Sequence, residues 1–148
     1  MENTFRPSRF LSLHATTPSP CTWEEIMQEL TGERHAAVTA LFRALAAGEG
    51  QDAETSKRQQ SQIKQNQPAF VPSVHLEGGR SSKHIKGYPG SIMVDIDGIP
   101  EDIFDETLER VRADPHSFLA YKTLSGRGIR VIAWMEAVSY THLTLPTI

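Results

Sequence analysis

Cysteine is all but missing from this chain. The single one, Cys21, excludes an internal disulfide and any metal site built from cysteines. It suits a reducing, cytoplasmic setting. Long apolar runs are missing too. Nothing approaches the length of a transmembrane helix, and the stretch from Met1 to Leu13 carries Arg6 and Arg9 but no signal-peptide core. No membrane partner is expected. No repeat recurs at solenoid periods. A strong excess of one charge is also lacking: 15 basic against 18 acidic residues give a net charge of −3. This balance does not suggest bulk attraction to nucleic acid, though a local basic stretch could still do that work. What remains is an ordinary globular composition, 39% hydrophobic and 22% charged over 148 residues, enough for one domain with a modest core.

The most informative stretch is Ser91-Ile92-Met93-Val94-Asp95-Ile96-Asp97-Gly98. An apolar run bounded by turn residues reads as a buried strand. Alternate side chains share a face of a strand. Asp95 and Asp97 are thus expected to point one way, and Val94 and Ile96 the other way, into a core. Neighbouring carboxylates repel and raise one another's pKa. A divalent cation removes that penalty, and Mg²⁺ or Mn²⁺ held by one or two carboxylates plus substrate phosphates is a common arrangement. The expectation is a metal site, Asp95 and Asp97, at the end of a central strand. A strand running out into an acidic turn at Asp97-Gly98 would contain the same residues.

Upstream, Phe10 to Leu13 reads as a short strand and Thr16 to Cys21 as a loop. Thr22 and Glu25 form a capping box before a helix from Trp23 to about Leu30. A second helix runs from about Glu33 to Ala47, with Val38, Leu41, Phe42 and Leu45 as its apolar stripe, stopped by Gly48. Ala53 to Gln65 reads as a polar helix. Ala69 to His75 suits a strand near a sheet edge, because Pro72 cannot donate to a ladder. Glu77 to Gly90 reads as a loop. Between Ser56 and Gly90 six Lys/Arg face one acid, Glu77. This local positive field is either a solvated basic loop or a phosphate-facing surface, with Lys64, Arg80, Lys83 and Lys86 as candidate nucleic-acid contacts.

After the acidic strand, Pro100 opens a helix. Its acids Glu101, Asp102, Asp105 and Glu106 and its bases Arg110 and Arg112 match the macrodipole, so they serve the helix rather than catalysis. Ile103, Phe104, Leu108 and Val111 form its buried stripe. Strands follow at Ser117–Thr123 and Ile129–Met135, giving the order β-β-α-β-β from residue 69. They are joined by Leu124-Ser125-Gly126-Arg127-Gly128. Glycines let a backbone approach a ligand, and such a turn can aim several N–H groups at an anion. Ser125 adds a hydroxyl, and Arg127 and Arg130 add guanidinium forks suited to phosphate. A plain hairpin would also use these glycines. With the Asp-x-Asp strand upstream, one element supplies metal ligands and the other a phosphate grip, the division of labour of nucleotidyl transfer.

These motifs, with Lys64-Gln-Asn-Gln-Pro-Ala-Phe70 before them, resemble the archaeo-eukaryotic primase superfamily. The nearer likeness is to the primase-polymerase-like VirE N-terminal domain, found in replication proteins of bacterial mobile elements, notably in Bacteroidetes. The likeness extends from about Phe10 to Trp134. It implies an α+β fold with an RRM-like primase-type sheet behind an N-terminal helical region. It further implies Asp95 and Asp97 as catalytic ligands of Mg²⁺ or Mn²⁺, and Ser125, Gly126, Arg127, Gly128 and Arg130 as the nucleotide-phosphate contact. Nucleotides and DNA are the implied partners, and a helicase-like ATPase often follows in that family. Two departures stand out. Arg130 occupies the place where many members carry a histidine, and the superfamily's third acidic motif is missing, Glu136 lying too soon to replace it.

The tail from Val138 to Thr147 resembles the in-frame translation of a sequencing-library adapter, which places the native end near Glu136 or Ala137 and removes His142 from the candidate ligands. The division expected is an N-terminal strand and helical region at 1–67, a truncated primase-like core at 68–137, and an adapter-derived segment at 138–148. Such a fragment is expected to be inactive and poorly soluble. Two rival readings are carried forward. Asp-x-Asp-Gly after an apolar strand also resembles haloacid-dehalogenase-like phosphatases, with Asp95 as nucleophile and Asp97 as acid/base, although Ile99-Pro100 departs from their usual continuation. The other rival is a nucleic-acid-binding module without catalysis.

Overall fold

A computed structural model of the chain describes residues 5–48, 50 and 52–135. It is an α+β fold, and its strand pairings are antiparallel. The segment read as adapter-derived lies outside the described residues. Among the described residues no helix is long and apolar enough to cross a membrane.

In the first half, strand β1 (Ser8–Phe10) lies between β2 (Ser19–Pro20) and β3 (Ala69–Val71). Helix α1 (Trp23–Thr31) starts at the expected capping box: the Glu25 N–H donates to the Thr22 hydroxyl, and the Thr22 N–H donates to the Glu25 carboxylate. A 3-10 turn at Glu33–His35 precedes α2 (Ala36–Ala46), so the second helix begins later than its periodicity suggested. Helix α3 (Ala53–Asn66) is capped by Asp52, which accepts from the N–H groups of Glu54 and Thr55. Phe42 and Leu45 are buried, whereas Leu41 of the expected stripe is exposed.

Several boundaries move, each for a local reason. The first strand is Ser8–Phe10 rather than Phe10–Leu13, and Leu11 projects into solvent. Ser8 explains the shift. It is fully buried, its hydroxyl accepting from the Leu76 N–H and donating to the Val74 carbonyl. Strand β3 stops at Val71, not His75, because the buried Pro72 has no N–H to offer. The expected loop at 77–90 contributes β5 (Ile85–Gly87), which pairs with β4 (His75–Leu76). The expected loop before Cys21 contributes β2.

In the second half, β6 (Ser91–Ile96) leads through a 3-10 turn at Glu101–Ile103, preceded by Pro100, into α4 (Phe104–Ala113). Strands β7 (Ser117–Lys122) and β8 (Ile129–Trp134) follow. The sheet order is β6-β8-β7. Both outer strands are antiparallel to β8, so they run parallel to each other around it, a split β-α-β unit. Phe104, Ala120, Ile129 and Val131 form a buried core that Ile96, Ile99, Leu108 and Val111 complete.

This order corrects one expectation. The central strand is β8, and the Asp-x-Asp strand β6 lies at the edge. Val94, expected in the core, is 45% exposed, and of its pair only Ile96 reaches the core cluster. The physical reason is where α4 packs. It lies chiefly against β7, and on β6 only Ile96 packs into the cluster it covers. Strand β3 pairs with β1 rather than β6, so the strand order expected along the chain does not become one sheet. The β1–β3 pairing also joins the two regions divided at residue 67.

Candidate functional site

Asp95, Arg130 and Tyr121 stand in one row across the sheet, because Asp95 registers with Arg130 and Arg130 with Tyr121. Cross-strand partners share a face. Here the guanidinium meets the carboxylate as a fork. Nε donates to Oδ1 at 2.6 Å and Nη2 to Oδ2 at 2.9 Å. The side chains are 36% and 38% exposed, a half-covered pair rather than a buried one. The hydrogen bonds from Arg130 hold the Asp95 carboxyl below its ordinary pKa. The same bonds raise that of Arg130. The elevation expected for Asp95 from its acidic neighbour is therefore corrected: Asp95 answers to Arg130. Tyr121 is raised by burial, with the charge of Arg130 opposing.

Asp97 follows the end of β6 and is brought against the start of β8 by a glycine. A Cβ on Gly128 would lie 2.9 Å from Asp97 Oδ1, 2.9 Å from the Ile96 carbonyl oxygen and 3.2 Å from Thr123 Oγ1. No side chain fits there. The turn is closed by the Thr123 N–H donating to the Gly128 carbonyl and the Gly126 N–H to the Thr123 carbonyl, both at 2.9 Å. Gly126 sits at φ +77°. The Ile99 N–H donates to the Arg127 carbonyl at 3.2 Å, fastening the chain after Asp97 to the turn. The two motifs, separated along the chain, are one structural unit.

That unit opens onto a cleft of about 820 Å³. Asp95, Asp97, Ser125, Arg130 and Tyr121 line it together with Arg9, Glu29, His35, Arg43 and Lys64. Within the lining a single carboxylate oxygen, Glu29 Oε1, accepts from His35 Nε2 at 2.9 Å and Arg9 Nη2 at 3.1 Å, with Arg34 at 3.8 Å. The hydrogen bond from His35 is the main cause that keeps Glu29 below its ordinary pKa.

The expected site residues divide as follows. Asp95, Asp97, Ser125, Arg130 and Lys64 share the cleft. Gly126 and Gly128 shape the turn behind it. Arg127 is exposed outside the lining, its own N–H bonded to Ser125 Oγ at 3.4 Å. Of the basic set, Lys64 lies over the Phe42 ring, 5.4 Å from its centroid. Arg80 is occupied elsewhere, donating to the carbonyls of Leu13 and Ala15 and covering Phe10. Lys83 and Lys86 are exposed on the β4–β5 hairpin segment, away from the cleft lining. The sequence reading missed Arg43, Tyr121 and the Glu29 cluster. Only the alternation of β7 could have suggested Tyr121, and nothing local marks the others.

The donor set bears on a divalent ion in a specific way. Among the described residues no group of three or more His, Cys, Asp or Glu could hold a metal. Two carboxylates facing one cleft suit an oxygen-loving ion whose shell is completed by substrate oxygens. Arg130 occupies one acceptor site on each Asp95 oxygen, so a metal there would share the carboxylate with the guanidinium or displace it.

An antiparallel sheet presenting a carboxylate–guanidinium row and a glycine turn to a wide cleft defines an α+β domain with a charged, substrate-sized site. Residues 62–143, which are 82 of the 148, match the family described as BT4734-like, N-terminal domain, and the chain belongs to that family. This is the VirE N-terminal domain that the motifs resembled. The match takes in residues 138–143 of the segment read as adapter-derived. No curated protein and no solved structure matches the chain.

Proposed function

We propose that the cleft is the nucleotide site of a primase-polymerase-like domain acting in DNA replication of a mobile element. The supporting observation is the convergence of Asp95, Asp97, Ser125 and Arg130, from two separate motifs, on one cleft, with Gly128 pressing the motifs together. Asp97 and Asp95 would hold Mg²⁺ or Mn²⁺, which when bound activates a 3′-hydroxyl and neutralises leaving pyrophosphate. Arg130 would neutralise Asp95 in the empty site and exchange it for phosphate oxygens when a nucleotide enters. Ser125 would donate to those oxygens. The sheet, closed on one face by α4 and facing the cleft with the other, belongs in this reading to an RRM-like primase core. A helicase-like ATPase in the same protein, a DNA template and a cytoplasmic setting complete the proposal.

The binding module without catalysis is the second reading, favoured by the occupied Asp95 and the absence of a three-ligand cluster among the described residues. The phosphatase reading loses ground, because a nucleophilic Asp95 would need an oxygen that Arg130 now holds. Electron paramagnetic resonance of Mn²⁺ tests the choice. The nucleotide reading expects a deoxynucleoside triphosphate to increase Mn²⁺ bound by the protein, and Asp97→Asn to abolish the increase. Mn²⁺ binding indifferent to nucleotide, with DNA affinity intact in Asp95→Asn, would favour the binding module.

A further inference from the structure

We propose that Arg43, on α2 and outside the family-matched segment, binds the polyphosphate of the nucleotide beside Ser125. The inference rests on the nucleotide reading and names a residue that neither motif contains. In the empty site neither Arg127 nor Arg130 offers a free fork to the cleft. Arg130 is held by Asp95 through two hydrogen bonds, and the Arg127 side chain lies outside the cleft lining. Arg43 lines the cleft with Ser125 and Lys64.

Its guanidinium is already fixed. Nε donates to the Leu124 carbonyl at 3.3 Å and Nη2 to the Thr123 carbonyl at 3.4 Å. A guanidinium has five N–H donors, and these bonds use two of them. The remaining three include a full Nη1 amino group. Among the described residues no carboxylate lies within ion-pair distance of Arg43. No described carboxylate neutralises the charge, while the carbonyls hold its fork in place. Ordering of a long side chain before the ligand arrives lowers the entropy lost on binding. The adjoining turn is shaped around it: a Cβ on Gly126 would lie 3.2 Å from Arg43 Nε. A planar fork held beside a serine hydroxyl suits phosphate oxygens. The N-terminal layer would then supply binding chemistry as well as a wall.

Calorimetric titration of the whole chain with dATP and with dAMP, each with Mn²⁺, tests this. Arg43→Ala is expected to weaken dATP roughly tenfold or more, the scale of one charge-assisted contact, and to leave dAMP nearly unchanged. Arg43→Lys should recover part of the loss, and Arg127→Ala should bind as wild type. Equal affinity of wild type and Arg43→Ala for dATP would overturn the proposal. So would equal losses for dATP and dAMP, the mark of a residue that only holds the turn. If Arg43→Ala does not fold, Arg43→Gln carries the same comparison. A wild-type chain that binds neither nucleotide would sink the nucleotide reading itself, whereas wild-type binding with no Arg43 effect sinks Arg43 alone.

Discussion

Strands β6 and β8 are neighbours joined in register from Ser91–Trp134 to Ile96–Ile129, yet they live in different environments. β8 is central, with Ile129, Val131 and Ile132 buried. β6 is an edge strand whose Ile92, Met93 and Val94 are all substantially exposed. Both are apolar enough to read as core. The difference teaches that apolar content locates a strand but does not rank it within a sheet. Rank depends on which strand the following helix covers, and α4 covers β7. The edge position also keeps the carboxylates of β6 at an open cleft.

Three measurements would break or sharpen this contrast. The largest effect is expected in the core. Ile129→Ala should destabilise the fold by about 2–5 kcal/mol, against less than about 1 kcal/mol for Val94→Ala, because only the first leaves a cavity among packed neighbours. Urea denaturation reads both, and equal losses would mean that β6 is as buried as β8.

The junction of the two strands comes next. Gly128→Ala would set a methyl 2.9 Å from a backbone oxygen of β6 that cannot swing aside. A cost of about 1–3 kcal/mol is expected, with loss of nucleotide-dependent Mn²⁺ binding as Asp97 is displaced. A variant with wild-type melting and wild-type Mn²⁺ binding would show the contact to be loose.

The smallest effect belongs to the ion pair that crosses between the strands. The folded-state pKa of Asp95 lies below the ordinary 3.8 because Arg130 bonds the charged form. A lowered carboxyl stabilises the fold above its unfolded pKa, and the contribution fades as pH falls through the folded value. With both side chains more than a third exposed, it should amount to only about 1 kcal/mol. The stability difference between wild type and Asp95→Asn is therefore expected to be constant above about pH 5 and to shrink in more acidic solution. A difference that persists unchanged into strong acid would mean that the pair does not form in solution.

Sequence reading was strongest where the chemistry is local. The Thr22–Glu25 capping box, the helix at 53–66, the helix after Pro100 and the two strands around the glycine turn all stand within a residue or a few of their expected places. Caps, turn glycines and apolar periodicity act over three or four residues, so the pattern suffices. It was weaker for short strands such as β1, β2 and β5, whose two or three residues carry too few side chains to show alternation. The shared facing of Asp95 and Asp97 was legible from strand period alone, and the family from the motifs.

By itself, then, the sequence determined the α+β class, most helix limits, the acidic pair and the glycine turn, because each is written in neighbouring residues. Tertiary structure alone decided that β6 is an edge strand, that Asp95 is held by Arg130 35 positions away, and that Arg43 reaches the turn across 80 positions. Those choices come from which surfaces pack together over long separations. They set the electrostatics of the cleft: a carboxylate read as waiting for a metal already has a cation, and a helix arginine with no motif around it stands beside the turn with donors to spare.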